Sequence, residues 1–125
     1  MTILTIDDST TIRRIVTRTV GEMGHEVLEG ADGPSGLAVL EENCDKIQLV
    51  LLDWNMPGMT GLEVLKTIRA NDKFKDIAVM MLTSEADQTF VLEALQAGAK
   101  NYLTKPFDKK MLALKIQESL GMTAE

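Results

Sequence analysis

Two apolar patterns alternate along this chain. The first is the short apolar run: Thr2-Ile3-Leu4-Thr5-Ile6, then Ile47 to Asp53 through the unbroken Leu49-Val50-Leu51-Leu52, then the continuous Ile77-Ala78-Val79-Met80-Met81-Leu82. Runs of this length, rich in Val, Ile and Leu, read as strands buried on both faces, as in a parallel sheet. Two shorter strands are read at 25–29 and 101–104. The second pattern is the amphipathic stripe. Ile12, Ile15, Val16, Val20 and Met23 predict a first helix that Gly24 ends, and Asp32-Gly33-Pro34 starts a second carrying Leu37, Val39 and Leu40. Thr60 with Glu63 forms a capping box for a third helix with Leu62, Leu65 and Ile68. Phe90, Val91, Ala94 and Leu95 share one side of a fourth, and Asp108 caps a fifth that turns Met111, Leu112, Ile116 and Leu120 inward. Five βα units imply an open parallel sheet with helices on both faces and right-handed crossovers.

In such a sheet every strand-to-helix junction faces one edge, where ligands usually bind. Asp7, Asp8, Asp53, Thr83 and Lys105 all fall at those junctions. Each has an ordinary structural reading: Asp8 as the cap of the first helix, Thr83 as the cap of the fourth, Lys105 as a solvated loop lysine. Together they ask for more. Three carboxylates within about 5 Å would repel by roughly 3 kcal/mol per pair at an effective dielectric near 20, which a bound divalent cation resolves. Oxygen-only donors beside an open crevice suit Mg²⁺, which commonly bridges carboxylates to phosphate. Thr83 and Lys105 then supply a hydroxyl and a cation for phosphoryl oxygens, and Asp53, placed before a turn, is the candidate nucleophile that forms an aspartyl phosphate.

Composition narrows the field. The 125 residues fit one domain, and thirteen basic against nineteen acidic residues give a net charge of −6. That balance argues against backbone binding to nucleic acid. The single cysteine, Cys44, reads as a structural thiol. With neither a signal-peptide pattern nor a membrane-length apolar run, the expected location is cytoplasmic. The methionines fall mostly on apolar stripes and read as core filling. In the absence of a heptad repeat, a monomer is expected.

The ordered set Asp7-Asp8, Asp53, Thr83, Tyr102 and Lys105-Pro106, together with Asp53-Trp54-Asn55-Met56-Pro57-Gly58-Met59, resembles the receiver domain of two-component response regulators, and within that family the stand-alone chemotaxis members. The resemblance covers essentially the whole chain. It implies a single receiver domain over 1–125 without an output domain. It also implies the flavodoxin-like (βα)5 doubly wound sheet in strand order 2-1-3-4-5, for which chemotaxis receivers are themselves the standard illustration. By the same resemblance Asp53 is the phosphoacceptor, Asp8 and Asp53 are direct Mg²⁺ ligands with the Asn55 carbonyl, and Asp7 is a ligand through water. Thr83 becomes the switch hydroxyl, Lys105 the phosphate-pairing lysine in front of a cis proline, and Tyr102 the aromatic switch. Asn55 and Glu85 match the pair that tunes water access to the phosphorylated aspartate. Ala86, Tyr102 and Lys115 fall on the partner surface.

The function so implied is a phosphorylation-activated switch rather than a turnover enzyme. A histidine kinase donates to Asp53, the face of helix four, strand five and helix five binds a flagellar motor switch protein, and a phosphatase is a further partner. Thr104 is less apolar than many relatives at that place. A phosphorelay intermediate is the alternative within the family. Outside it stand a flavin carrier, with Ser9-Thr10-Thr11 cradling a phosphate at a helix N-terminus, and a Mg²⁺-dependent phosphatase.

Overall fold

A computed structural model describes residues 1–84 and 90–121. Among them lie the five expected strands: β1 (Thr2–Ile6), β2 (Glu26–Gly30), β3 (Ile47–Asp53), β4 (Ala78–Ser84) and β5 (Asn101–Lys105). The helices are α1 (Thr10–Glu22), α2 (Gly33–Glu42), α3 (Gly61–Ala70), α4 (Val91–Gln96) and α5 (Lys109–Ser119). All pairings are parallel and the sheet order is β2-β1-β3-β4-β5. A 3-10 turn at Asp72–Phe74, which the apolar pattern did not announce, leads into β4.

Strand alternation divides the core in two. Val50 and Leu52 of β3 point to one face, where they meet Leu40, Val64, Leu65, Ile68 and Ala94 from α2, α3 and α4. Leu49 and Leu51 point to the other, against Val16 and Val20 of α1 and Leu112 and Ile116 of α5. The doubly wound architecture therefore follows from two apolar layers on one buried strand.

Caps set the helix starts. Ser9, not Asp8, caps α1, its hydroxyl accepting from the Ile12 amide at 3.2 Å. Asp32 caps α2, Thr60 and Glu63 form the expected capping box of α3, and Asp108 caps α5. Gly24 follows α1 at φ +86°, the left-handed conformation glycine adopts without strain. The peptide between Lys105 and Pro106 is cis.

Four apolar side chains expected inside are exposed: Ile15, Phe90, Leu95 and Met111. Packing explains each. α4 buries a narrow stripe through Ala94, so its wider apolar content faces out. Met111 sits about 100° around α5 from Leu112 and so falls off the seam. Ile15 lies in a groove with Arg14, Arg18 and Lys109 between α1 and α5. Strand β4 runs two residues beyond the expected Leu82, because Thr83 pairs with Thr104 and Ser84 with Lys105. That extension places Thr83 within the sheet rather than at a helix cap.

Candidate functional site

The carboxyl ends of β1 and β3 bring Asp7, Asp8 and Asp53 together. One carboxylate oxygen from each lies within 4.8 Å of the others. Asp7 is fully buried and Asp53 nearly so, whereas Asp8 is exposed and its carboxylate makes no hydrogen bond to the described residues. Across the sheet, Lys105 at the end of β5 spans both buried carboxylates, with Nζ 3.0 Å from Asp53 Oδ1 and 3.3 Å from Asp7 Oδ2. Residues 98 positions apart thus share one ion-pair cluster.

The electrostatics follow from burial. Desolvation, with the Asp7 charge second, pushes the Asp53 carboxyl up to about 6 against the opposing pull of Lys105. Burial alone would lower the Lys105 ammonium, but Asp53 and Asp7 outweigh it and hold it raised. One cation therefore faces two buried carboxylates and a third at the rim. Hard oxygen donors in excess of the local positive charge fit a divalent cation such as Mg²⁺. Thr83 adds an orphan: its hydroxyl is buried and has no hydrogen-bond partner among the described residues. Such a group costs about 1–3 kcal/mol unless something pairs with it.

The turn after β3 fixes Asp53. The Asn55 amide donates to Asp53 Oδ1 at 3.4 Å, and the Trp54 amide donates to the Leu82 carbonyl at 2.9 Å. Gly61 begins α3 against this turn; a Cβ there would stand 2.3 Å from the Asp53 carbonyl oxygen, so only glycine lets α3 approach. The Trp54 ring stacks on Phe90 with centroids 5.7 Å apart.

The expected site residues divide into three groups. Asp7, Asp8, Asp53 and Lys105 converge, Asn55 adjoins them through its amide, and Thr83 lies on β4 one residue past Leu82, the register partner of Asp53. Tyr102 sits elsewhere on the sheet, half-buried against the α2–α3–α4 core, with Lys115 Nζ 5.8 Å from its ring centroid. Glu85 and Ala86 lie outside the described residues.

The flavin reading fails at the first loop. A phosphate cradled by Ser9-Thr10-Thr11 would need the Ser9 amide, which donates to Asp7 Oδ1 at 2.8 Å beside buried negative charge. The family model described as the response regulator receiver domain matches residues 3–117. This chain belongs to that family.

Relatives of the receiver agree along its length. A chemotaxis protein CheY homolog from Campylobacter jejuni is 41% identical over 122 residues, covering 97% of this chain and 93% of its own. Chemotaxis protein CheY1 of Helicobacter pylori (strain J99) is also 41% identical, covering 97% of this chain and 98% of that protein. Among solved structures, CheY4 of Vibrio cholerae at low pH superposes with a TM-score of 0.88 at 34% identity, covering 95% of this receiver and 98% of that chain.

One contributor escaped the sequence reading. Arg13 on α1 reaches the site's backbone, its Nη1 donating to the Asp7 carbonyl at 2.6 Å and its Nε to Glu29 at 3.2 Å. The only signal was an arginine in the second turn after the Asp7-Asp8 pair, and Arg14 beside it offered the same signal.

Proposed function

We propose that this receiver is a phosphorylation-activated chemotaxis switch of the CheY kind, in which Asp53 accepts a phosphoryl group from a histidine kinase and a flagellar motor switch protein reads the result. The convergence of Asp7, Asp8, Asp53 and Lys105 from three strands carries the reading. The names of the relatives point the same way for the pathway.

In the proposed transfer, a carboxylate oxygen of Asp53 attacks the phosphorus of a phosphohistidine. The phosphorus–nitrogen bond breaks and its electron pair stays on the imidazole. Lys105, whose ammonium Asp53 and Asp7 hold raised in the resting cluster despite its burial, trades its carboxylate contacts for phosphoryl oxygens. Asp7, Asp8 and Asp53, with the Asn55 carbonyl, would hold Mg²⁺, which supplies positive charge to offset the anionic donor. The Thr83 hydroxyl, without a partner among the described residues beforehand, gains an acceptor in the new phosphoryl group. A buried polar group that is satisfied in one state alone biases the fold toward that state. Asn55 and Glu85 tune how water reaches the product.

Readout is proposed at the face of α4, β5 and α5. Leu92 and Leu95 of α4 and Met111 and Leu114 of α5 are exposed, and Lys115 Nζ of α5 lies 5.8 Å from the Tyr102 ring centroid on β5. Movement of Thr83 toward the phosphoryl group makes room for Tyr102 to turn inward and reshape that surface. The test is affinity for a flagellar switch protein with and without beryllofluoride and Mg²⁺. Coupled sites usually differ by about 1–3 kcal/mol, so binding should tighten by roughly fivefold or more. Equal affinity in both states would end this reading.

A further inference from the structure

We infer that Arg13 is a positioning residue for the cation site: its guanidinium fixes the peptide that carries Asp7 and Asp8, and thereby sets how tightly the chain holds Mg²⁺. The inference rests on reading the acidic cluster as a Mg²⁺ site.

Asp7 has every polar atom engaged. Its amide donates to the Gly30 carbonyl at 3.1 Å, Oδ1 accepts from Ser9, Oδ2 accepts from Lys105, and the carbonyl accepts from Arg13 at 2.6 Å. That carbonyl belongs to the planar peptide joining Asp7 to Asp8. Rotation of the peptide would swing both carboxylates relative to Asp53. Asp8 needs this restraint most, because its exposed carboxylate makes no hydrogen bond to the described residues and only the backbone sets its place. Arg13 is itself held at two further points. Its backbone amide donates to the Ser9 carbonyl at 3.0 Å, and its Nε pairs with Glu29 on β2, leaving the side chain 17% exposed. A planar fork anchored on β2 therefore grips the exit of β1, a geometry that a lysine, with one nitrogen, does not reproduce.

Charge and position predict opposite signs. If Arg13 acted only as a nearby positive charge, its removal would make the site more negative and strengthen cation binding. As a positioning residue, its removal weakens binding, and outer partners of metal ligands typically contribute 10–100-fold in affinity. Mg²⁺ titrations followed by calorimetry on the full chain separate the two, using wild type, Arg13→Ala, Arg13→Lys and Arg14→Ala, with circular dichroism confirming each fold. The expected result is a Kd raised about tenfold or more in Arg13→Ala, a smaller rise in Arg13→Lys, and an unchanged or slightly lower Kd in Arg14→Ala. Equal or tighter binding by Arg13→Ala overturns the inference, as does equal weakening in Arg14→Ala. Should Arg13→Ala not fold, Arg13→Lys decides by the same criterion. Failure of the wild type to bind Mg²⁺ would instead remove the reading of the acidic cluster, and this inference with it.

Discussion

Replacing Asp53 with asparagine should stabilise the resting protein while abolishing its chemistry. The Asp53 carboxyl is raised from 3.8 to about 6, chiefly by burial and then by Asp7. At about 1.4 kcal/mol per pH unit, that gap makes the ionised form costly by about 3 kcal/mol at neutral pH. The native carboxyl keeps its proton to higher pH than the unfolded one, so wild type loses stability as pH rises from about 3.8 to about 6 and stays at the lower level above it. An asparagine does not ionise and avoids this cost. Lys105 gives up one partner in the variant but retains Asp7, which makes about 3 kcal/mol an upper bound. Urea unfolding in EDTA at pH 7 and pH 4 is the assay. With a slope of roughly 1–3 kcal/mol per molar urea, the variant's midpoint should lie above wild type at pH 7, by at most about 1–3 M. At pH 4 the difference should fall below about 1 kcal/mol. A variant less stable than wild type at pH 7, or an advantage that ignores pH, would refute the electrostatic account of the cluster.

Three further substitutions probe the scaffold. Gly61→Ala forces a Cβ toward the Asp53 carbonyl oxygen; a loss of about 1–3 kcal/mol in urea is expected, and wild-type stability would show that α3 can retreat freely. Thr5→Val removes a buried hydroxyl without a partner among the described residues and should raise stability by about 1 kcal/mol, read as a higher melting temperature. Thr83→Val should bring a similar gain in the resting protein, but no gain once beryllofluoride and Mg²⁺ are bound. A gain that persists in the loaded state would mean that the hydroxyl finds no partner there.

The sequence made the scaffold legible where local chemistry and burial agree. Short apolar runs marked β1, β3 and β4, and the side chains of Asp32, Thr60 and Asp108 marked three helix starts. Asp8 read as the cap of α1, but the backbone path gives that place to Ser9. Exposure was harder to read. Phe90 and Leu95 carry the apolar character of an inward face, yet α4 offers the sheet little more than Ala94, and Phe90 finds Trp54 instead. The acidic cluster was legible through topology, because parallel strands deliver their ends to one edge whatever their separation in the chain. Contacts at the level of single atoms were not. The grip of Arg13 on the Asp7 carbonyl, and the span of Lys105 across two carboxylates, depend on side-chain reach that spacing does not encode.

The central claim is that Asp53 accepts a phosphoryl group. Intact-mass analysis after incubation with an acyl phosphate and Mg²⁺ tests it most directly, on wild type and Asp53→Ala side by side. One added phosphoryl group on the wild type, dependent on Mg²⁺ and missing from the variant, is the predicted result. An unmodified wild type, or an adduct that survives loss of Asp53, would contradict the account.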